Sequence, residues 1–264
     1  MKKIISLLMA ILMIATLSLT LTSCSYKDDV RFVKEAGKLV VGVTVYKPMD
    51  YVDDKTGEWT GFDAELAKMF AEELGVNCQL VIIDWNNKVA ELNSKQIDLI
   101  WNGMTASDEL GKQIDFSVSY AKNAQVAVVK KGSTLTKDGI KNATVAVENG
   151  SAGETAARTD IGATKLVERS DGQVGAISEV LAGTADVAII DITMAQSVVG
   201  KADYSDLMIL EGASYGDEIF AVGLRKDSNL KEKLDAFLKA KYADGTITDL
   251  AAKYEVGINE DALK

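Results

Sequence analysis

The chain has no histidine, two cysteines and a single proline in 264 residues. Each shortage narrows the chemistry. Without histidine, the usual Cys/His zinc sites and the Ser/His or Cys/His nucleophilic arrangements are excluded, and many hydrolases with them. Cys24 closes an apolar leader. Cys78 lies beside Leu80, Val81, Ile82 and Ile83 and reads as a small buried hydrophobe, so no intramolecular disulfide is expected. Basic residues are also short. Lys and Arg number 29 against 39 Asp and Glu, a net charge of −10 that argues against nucleic acid as a partner. Beyond the leader there is no second long apolar run, so the rest of the chain is not expected to span a membrane. No metal and no cofactor is expected.

What is present begins with that leader. Lys2 and Lys3 form a positive start, Ile4 to Leu21 an apolar stretch diluted by Ser and Thr, and Leu21-Thr22-Ser23-Cys24 its end. Residues 1–23 therefore read as a secretory signal peptide rather than a transmembrane anchor. The closing residues look like a bacterial lipobox, in which Cys24 is lipidated and becomes the mature N-terminus. A diacyl group there would hold the protein at the outer face of a membrane. Residues 24–38 read as the lipid-anchored tether. Removing the signal leaves 241 residues with 27 basic and 39 acidic side chains, a net charge of −12. That length suits one large domain or two lobes of ~100–120 residues.

The body of the chain repeats one pattern. Leu39–Val45 is an almost wholly apolar run, as a strand buried on both faces requires. A hairpin over Tyr51–Trp59 follows, then a helix with Phe62, Leu66, Met69, Phe70 and Leu74 on one face and Gly75 at its stop. Gln79–Ile83 and Ile97–Trp101 are further strands, separated by a helix through Val89 and Leu92. After the strand Gln125–Val129 the pattern restarts, with strands at Thr144–Val147, Lys165–Glu168 and Asp186–Ile190 and helices between them. Tyr204–Ser214 leads to a strand over Glu218–Leu224, and two helices close the chain. The alternation predicts an α/β fold of two doubly wound lobes.

The chemistry sits where strands end, because ligands of α/β sheets bind at the carboxyl ends of strands. Those ends place Tyr46, Trp85, Asn102, Gly103, Met104, Thr105, Ser151, Ala152 and Asp191 as candidate ligand-binding residues. Ser151-Ala152-Gly153 opens a helix whose N–H groups can bind a carboxylate, or Ser151 simply caps its own helix. Asp191 can pair with an ammonium, or cap the following helix. Trp85 and Tyr46 can flank a ligand side chain, or belong to core and hinge packing.

Several stretches carry a resemblance: Gly61-Phe62-Asp63-Ala64-Glu65-Leu66-Ala67, Ile97-Asp98-Leu99-Ile100, Gly103-Met104-Thr105, Asp115-Phe116-Ser117 with Tyr120, Asp186-Val187-Ala188 with Asp191, and Asp244-Gly245-Thr246 with Lys253-Tyr254. From about Leu39 to Tyr254 the chain resembles the bacterial extracellular solute-binding proteins of family 3, the polar amino-acid type serving ABC importers. The resemblance implies a type II periplasmic-binding-protein fold, two lobes joined by two hinge strands. It places lobe 1 at 39–124 and 219–264 and lobe 2 at 125–218, with crossings near Asn123–Val126 and Asp217–Phe220. It implies no enzyme activity, a small-molecule ligand such as an amino acid or derivative, a cognate ABC permease as partner, and a monomer. It also implies aromatics at Tyr46 and Trp85 flanking the ligand side chain, a carboxylate held by Gly103–Thr105 and Ser151–Ala152, and an ammonium held by Asp191. Alternatives are an extracellular sensor module, or a dehydratase of the same fold. One departure stands out. The family motif continues to an Arg that clamps the ligand carboxylate, and this chain has Leu110 there, with Arg158 or Lys122 as candidate substitutes.

Overall fold

The computed structural model describes residues 28–264. The predicted signal peptide and the lipidation site Cys24 lie outside the described residues. Strands β1 (Lys38–Val43), β2 (Tyr51–Val52), β3 (Trp59–Thr60), β4 (Asn77–Ile82), β5 (Leu99–Ile100) and β6 (Asp115–Phe116) occupy the first part of the chain. They are followed by β7 (Ala121–Lys130), β8 (Thr144–Glu148), β9 (Lys165–Arg169), β10 (Val187–Asp191), β11 (Leu207–Phe220) and β12 (Gly223–Leu224). They build two five-stranded sheets, ordered β4-β1-β5-β12-β6 and β11-β7-β10-β8-β9, with β2-β3 a small hairpin. In the first sheet β4, β1 and β5 run parallel, and β12 is antiparallel to its neighbours. In the second, β9, β8 and β10 run parallel, and β7 and β11 are antiparallel.

The apolar runs are continuous because both faces of these strands are covered. Leu99 and Trp101 point into one core cluster while Ile100, between them, points into another. In the second sheet Val128 and Val126 alternate with Val129 and Ala127 in the same way, and Ala188 and Ile190 with Val187 and Ile189. Period-two alternation with two dry faces keeps polar side chains out of such runs and moves them toward the strand ends. That is why the chemistry collects there.

The sheets are joined where β7 pairs with β11. The register brings Glu218 opposite Asn123, Ile219 opposite Lys122 and Phe220 opposite Ala121. Sequence reading broke β11 into two segments, but it is one strand of 14 residues. Two register shifts, between Ile209 and Ser214 and between Tyr215 and Glu218, let it bend from one sheet toward the other.

The stretch read as a tether requires a second correction. Asp29–Ala36 is a helix, capped at its start by Asp28 and ended by Gly37 in the left-handed region. It docks because Val33 enters the core and the carboxylate of Asp29 accepts a hydrogen bond from Arg225 at 3.0 Å. Arg225 is itself buried and also donates to Leu92 O, Ile97 O and Asp98 Oδ1. A buried guanidinium is tolerable only when its donors are satisfied in this way.

Candidate functional site

A cavity of about 430 Å³ lies between the two sheets. All nine residues singled out at strand ends line it. From the first sheet come Tyr46 after β1, Trp85 after β4 and Asn102–Thr105 after β5. From the second come Ser151 and Ala152 after β8 and Asp191 at the end of β10. The strand-end rule also brings in Glu148, the last residue of β8, and the bend of β11 brings in Tyr215 and Glu218.

On the first-sheet wall, the Asn102 side chain is locked. Its Oδ1 accepts from Thr44 N at 2.9 Å and Thr44 Oγ1 at 2.8 Å, and its Nδ2 donates to Thr44 O and Asp50 Oδ2. It shapes the wall and keeps no amide hydrogen free. Gly103 has φ 55°, and a Cβ there would come within 2.7 Å of the Tyr46 ring, so both the backbone and the space require glycine. Its N–H donates to Asp63 Oδ2 at 2.7 Å, which the Tyr120 hydroxyl also reaches. Burial raises Asp63 to about 7 against these two hydrogen bonds. Trp85 is buried on a short turn capped by Asp84, and Lys88 lies with its Nζ 4.8 Å from the Trp85 ring centre. The Tyr46 hydroxyl is buried without a hydrogen-bond partner among the described residues.

The second-sheet wall is more polar. Ser151 Oγ accepts from Glu154 N at 3.1 Å, which is the capping role. Ala152 and Gly153 line the cavity at the helix mouth, and their N–H groups have no acceptor among the described residues. Asp191 begins a helix but does not cap it with its side chain. Its Oδ1 instead accepts from Asn123 Nδ2 at 2.5 Å and Gln125 Nε2 at 2.6 Å, and its Oδ2 accepts from Gln173 Nε2. Asn123 and Gln125 also donate to Glu218 Oε2, at 2.8 and 2.9 Å, and Thr105 Oγ1 reaches the same oxygen at 2.9 Å. One pair of amides thus joins two carboxylates, and Thr105 ties that cluster to the opposite sheet. Burial and the charge of Glu218 raise Asp191 to about 6.

Besides Glu218, two buried ionisable residues of the lining are not among the candidates from sequence. Glu148 is buried, and burial followed by the charge of Asp191 raises it to about 8. Lys88 is buried on the facing wall, and burial lowers it to about 8 against the pull of Glu148. The signal for Glu148 was the one that marked Asp191, a carboxylate ending a buried apolar strand. Lys88 had no comparable signal, because a lysine in the first turn of a helix is ordinarily solvated.

A model of the bacterial extracellular solute-binding proteins, family 3, matches residues 39–257. The chain belongs to that family. The L-cystine-binding protein TcyJ of Escherichia coli (strain K12) is 32% identical, the match covering 93% of this chain and 92% of the relative. The arginine-binding extracellular protein ArtP of Bacillus subtilis (strain 168) is 30% identical over 97% of this chain and 99% of its own. Among solved structures, a P235GK mutant of ArgBP from T. maritima superposes with TM-score 0.79 at 31% identity, covering 85% of this chain and 98% of that one.

In this family 3 protein Leu110 lines the cavity as a half-buried apolar residue. Neither cation offered in its place belongs to the lining. Arg158 is turned outward, paired with Glu154 at 2.7 Å and with Glu168. Lys122 is exposed on β7. Among the described residues, the one basic side chain in the lining is Lys88, whose Nζ donates to Gly150 O at 2.8 Å and Trp85 O at 3.1 Å.

Proposed function

We propose that this family 3 protein captures an amino acid or close relative between its two lobes and delivers it to an ABC importer. The observation that carries the reading is the cavity itself. It is bounded by both sheets and has a buried, hydrogen-bonded carboxylate at Asp191 with acceptor capacity to spare, and helix-mouth N–H groups at Ala152 and Gly153 without an acceptor among the described residues. A zwitterion has the complementary poles, an ammonium for Asp191 and a carboxylate for the N–H groups. Trp85 and Tyr46 supply flat apolar walls for the side chain. The relatives are named as binding proteins for cystine and arginine, which supports the amino-acid class and a binding role rather than an enzymatic one. The acidic net charge and the leader support an exported, monomeric protein, anchored through Cys24, whose macromolecular partners are a permease and the membrane surface rather than nucleic acid.

Calorimetry against the standard amino acids, cystine, small peptides and polyamines tests this. One or more amino acids should bind, and Trp85→Ala and Asp191→Ala should each weaken that ligand at least about tenfold, the equivalent of ~1.4 kcal/mol. Silence across every amino acid, or unchanged affinity in both variants, would place the function or the site elsewhere.

A further inference from the structure

The cavity has more hydrogen-bond acceptors than donors. Its lining carries five carboxylates, Glu109, Glu148, Asp160, Asp191 and Glu218 among them, and Lys88 as the basic side chain. The side-chain donors are largely spent within the walls. Asn102 gives both amide hydrogens to Thr44 O and Asp50, Thr105 gives its hydroxyl to Glu218, and Gln173 donates to Asp191. Lys88 gives two of its three hydrogens to carbonyls. Asp191 and Glu218 are supplied by Asn123 and Gln125. Glu148 is not. It is 3% exposed, and its Oε1 has no partner among the described residues.

A buried carboxylate oxygen without a donor is unfavourable, and a carboxylate left unneutralised more so. A ligand that brings N–H groups and positive charge supplies the missing donor and takes the place of the proton that otherwise neutralises the group. We propose that Glu148 is a specificity-determining residue that receives a cationic nitrogen of the ligand, an ammonium or a guanidinium, separate from the one held at Asp191. The inference rests on the amino-acid-like reading of the same cavity and narrows it to ligands with two cationic centres. Such centres occur in dibasic amino acids and in the amines left when those lose their carboxylate. The groups acting on Glu148 are Asp191, Lys88, Asp171 and Asp84. Since burial holds Glu148 up to about 8, an arriving cation should drive its proton off at neutral pH.

The test is calorimetry on the protein with matched pairs: arginine against citrulline and lysine against norleucine, with agmatine and cadaverine as the decarboxylated partners. The charged member of a pair should bind at least about tenfold tighter than the neutral one, and Glu148→Gln should reduce that preference below about threefold. Binding of the charged member near pH 7 should release protons, read from its heat in buffers of different ionisation enthalpy, and Glu148→Gln should abolish the release. A tighter amine than amino acid assigns a ligand without a carboxylate, and the reverse order assigns a dibasic amino acid. Equal affinity within the pairs, or a preference and proton release that survive Glu148→Gln, overturns the role of Glu148. Tight binding of cystine or a neutral amino acid, with the dications silent, overturns it while leaving the proposed function standing. Silence from every compound overturns both.

Discussion

Buried carboxylates are raised chiefly by burial: Asp63, Asp191 and Glu148 to about 7, 6 and 8, and Asp50, beside Asp63, well above its ordinary range. Unfolded, they titrate near ~4. Between those limits the native chain binds more protons than the unfolded chain, so stability falls as pH rises. Lys88 acts in a different window. Its pKa is lowered from 10.5 to about 8, so the unfolded chain holds more protons only above pH 8, and its contribution changes only there. Surface carboxylates with lowered values, such as Asp115 and Asp244, act below their ordinary range near ~4. The ligand-free protein should therefore melt at progressively lower temperature from pH 5 to pH 8. Glu148→Gln should make that decline shallower and leave the part due to Asp191, Asp63 and Asp50. Calorimetric melts across the range check it, and a melting temperature that rises toward pH 8 would refute the burial argument.

At the scale of elements, Arg225 organises more than its own strand. It follows β12, and its guanidinium links the helix Asp29–Ala36 to the segment that leads into β5. Arg225→Met leaves Asp29 and Asp98 buried, each without one of its donors. Breaking a buried ion pair from one side costs about 3–5 kcal/mol. The denaturation midpoint should fall accordingly, and a loss under ~1 kcal/mol would show that the helix docks through Val30, Val33 and the Asn229 hydrogen bonds without help from Arg225. This contact also shows where sequence reading stops. Parallel strands announced themselves, because two buried faces demand unbroken runs such as Val126–Val129. The helix Asp29–Ala36 did not, since it spans eight residues and a buried partner of its first residue lies 196 positions away. The break expected between Ser214 and Glu218 is absent, because register shifts on either side of Ser214 and Tyr215 absorb the bend within one strand. The strand-end rule placed nine residues on one cavity. It passed over Lys88, Glu148 and Glu218, because a charge reads as solvated until the opposite lobe covers it.

At the scale of the whole molecule both sheets wall the cavity, so under the proposed function affinity depends on how readily the lobes close. Gly150 stands at that junction. Its carbonyl takes the Lys88 hydrogen bond from the other lobe, and a Cβ placed on it would come within 2.9 Å of the Asn86 Cα. Asn86 backbone cannot yield without moving the turn that carries Trp85. Gly150→Ala should therefore hold the lobes apart. Alanine at φ 72° also carries left-handed strain of roughly 1–2 kcal/mol, which would lower stability by itself. Gly212→Ala separates the two effects. Gly212 has φ 73°, and its Cβ would meet nothing within 4 Å. Both variants should lose similar stability. Only Gly150→Ala should weaken the ligand at least about tenfold and leave the ligand-saturated protein as extended in small-angle scattering as the ligand-free one. Equal affinity in the two variants would mean that closure does not pass through the contact between Asn86 and Gly150.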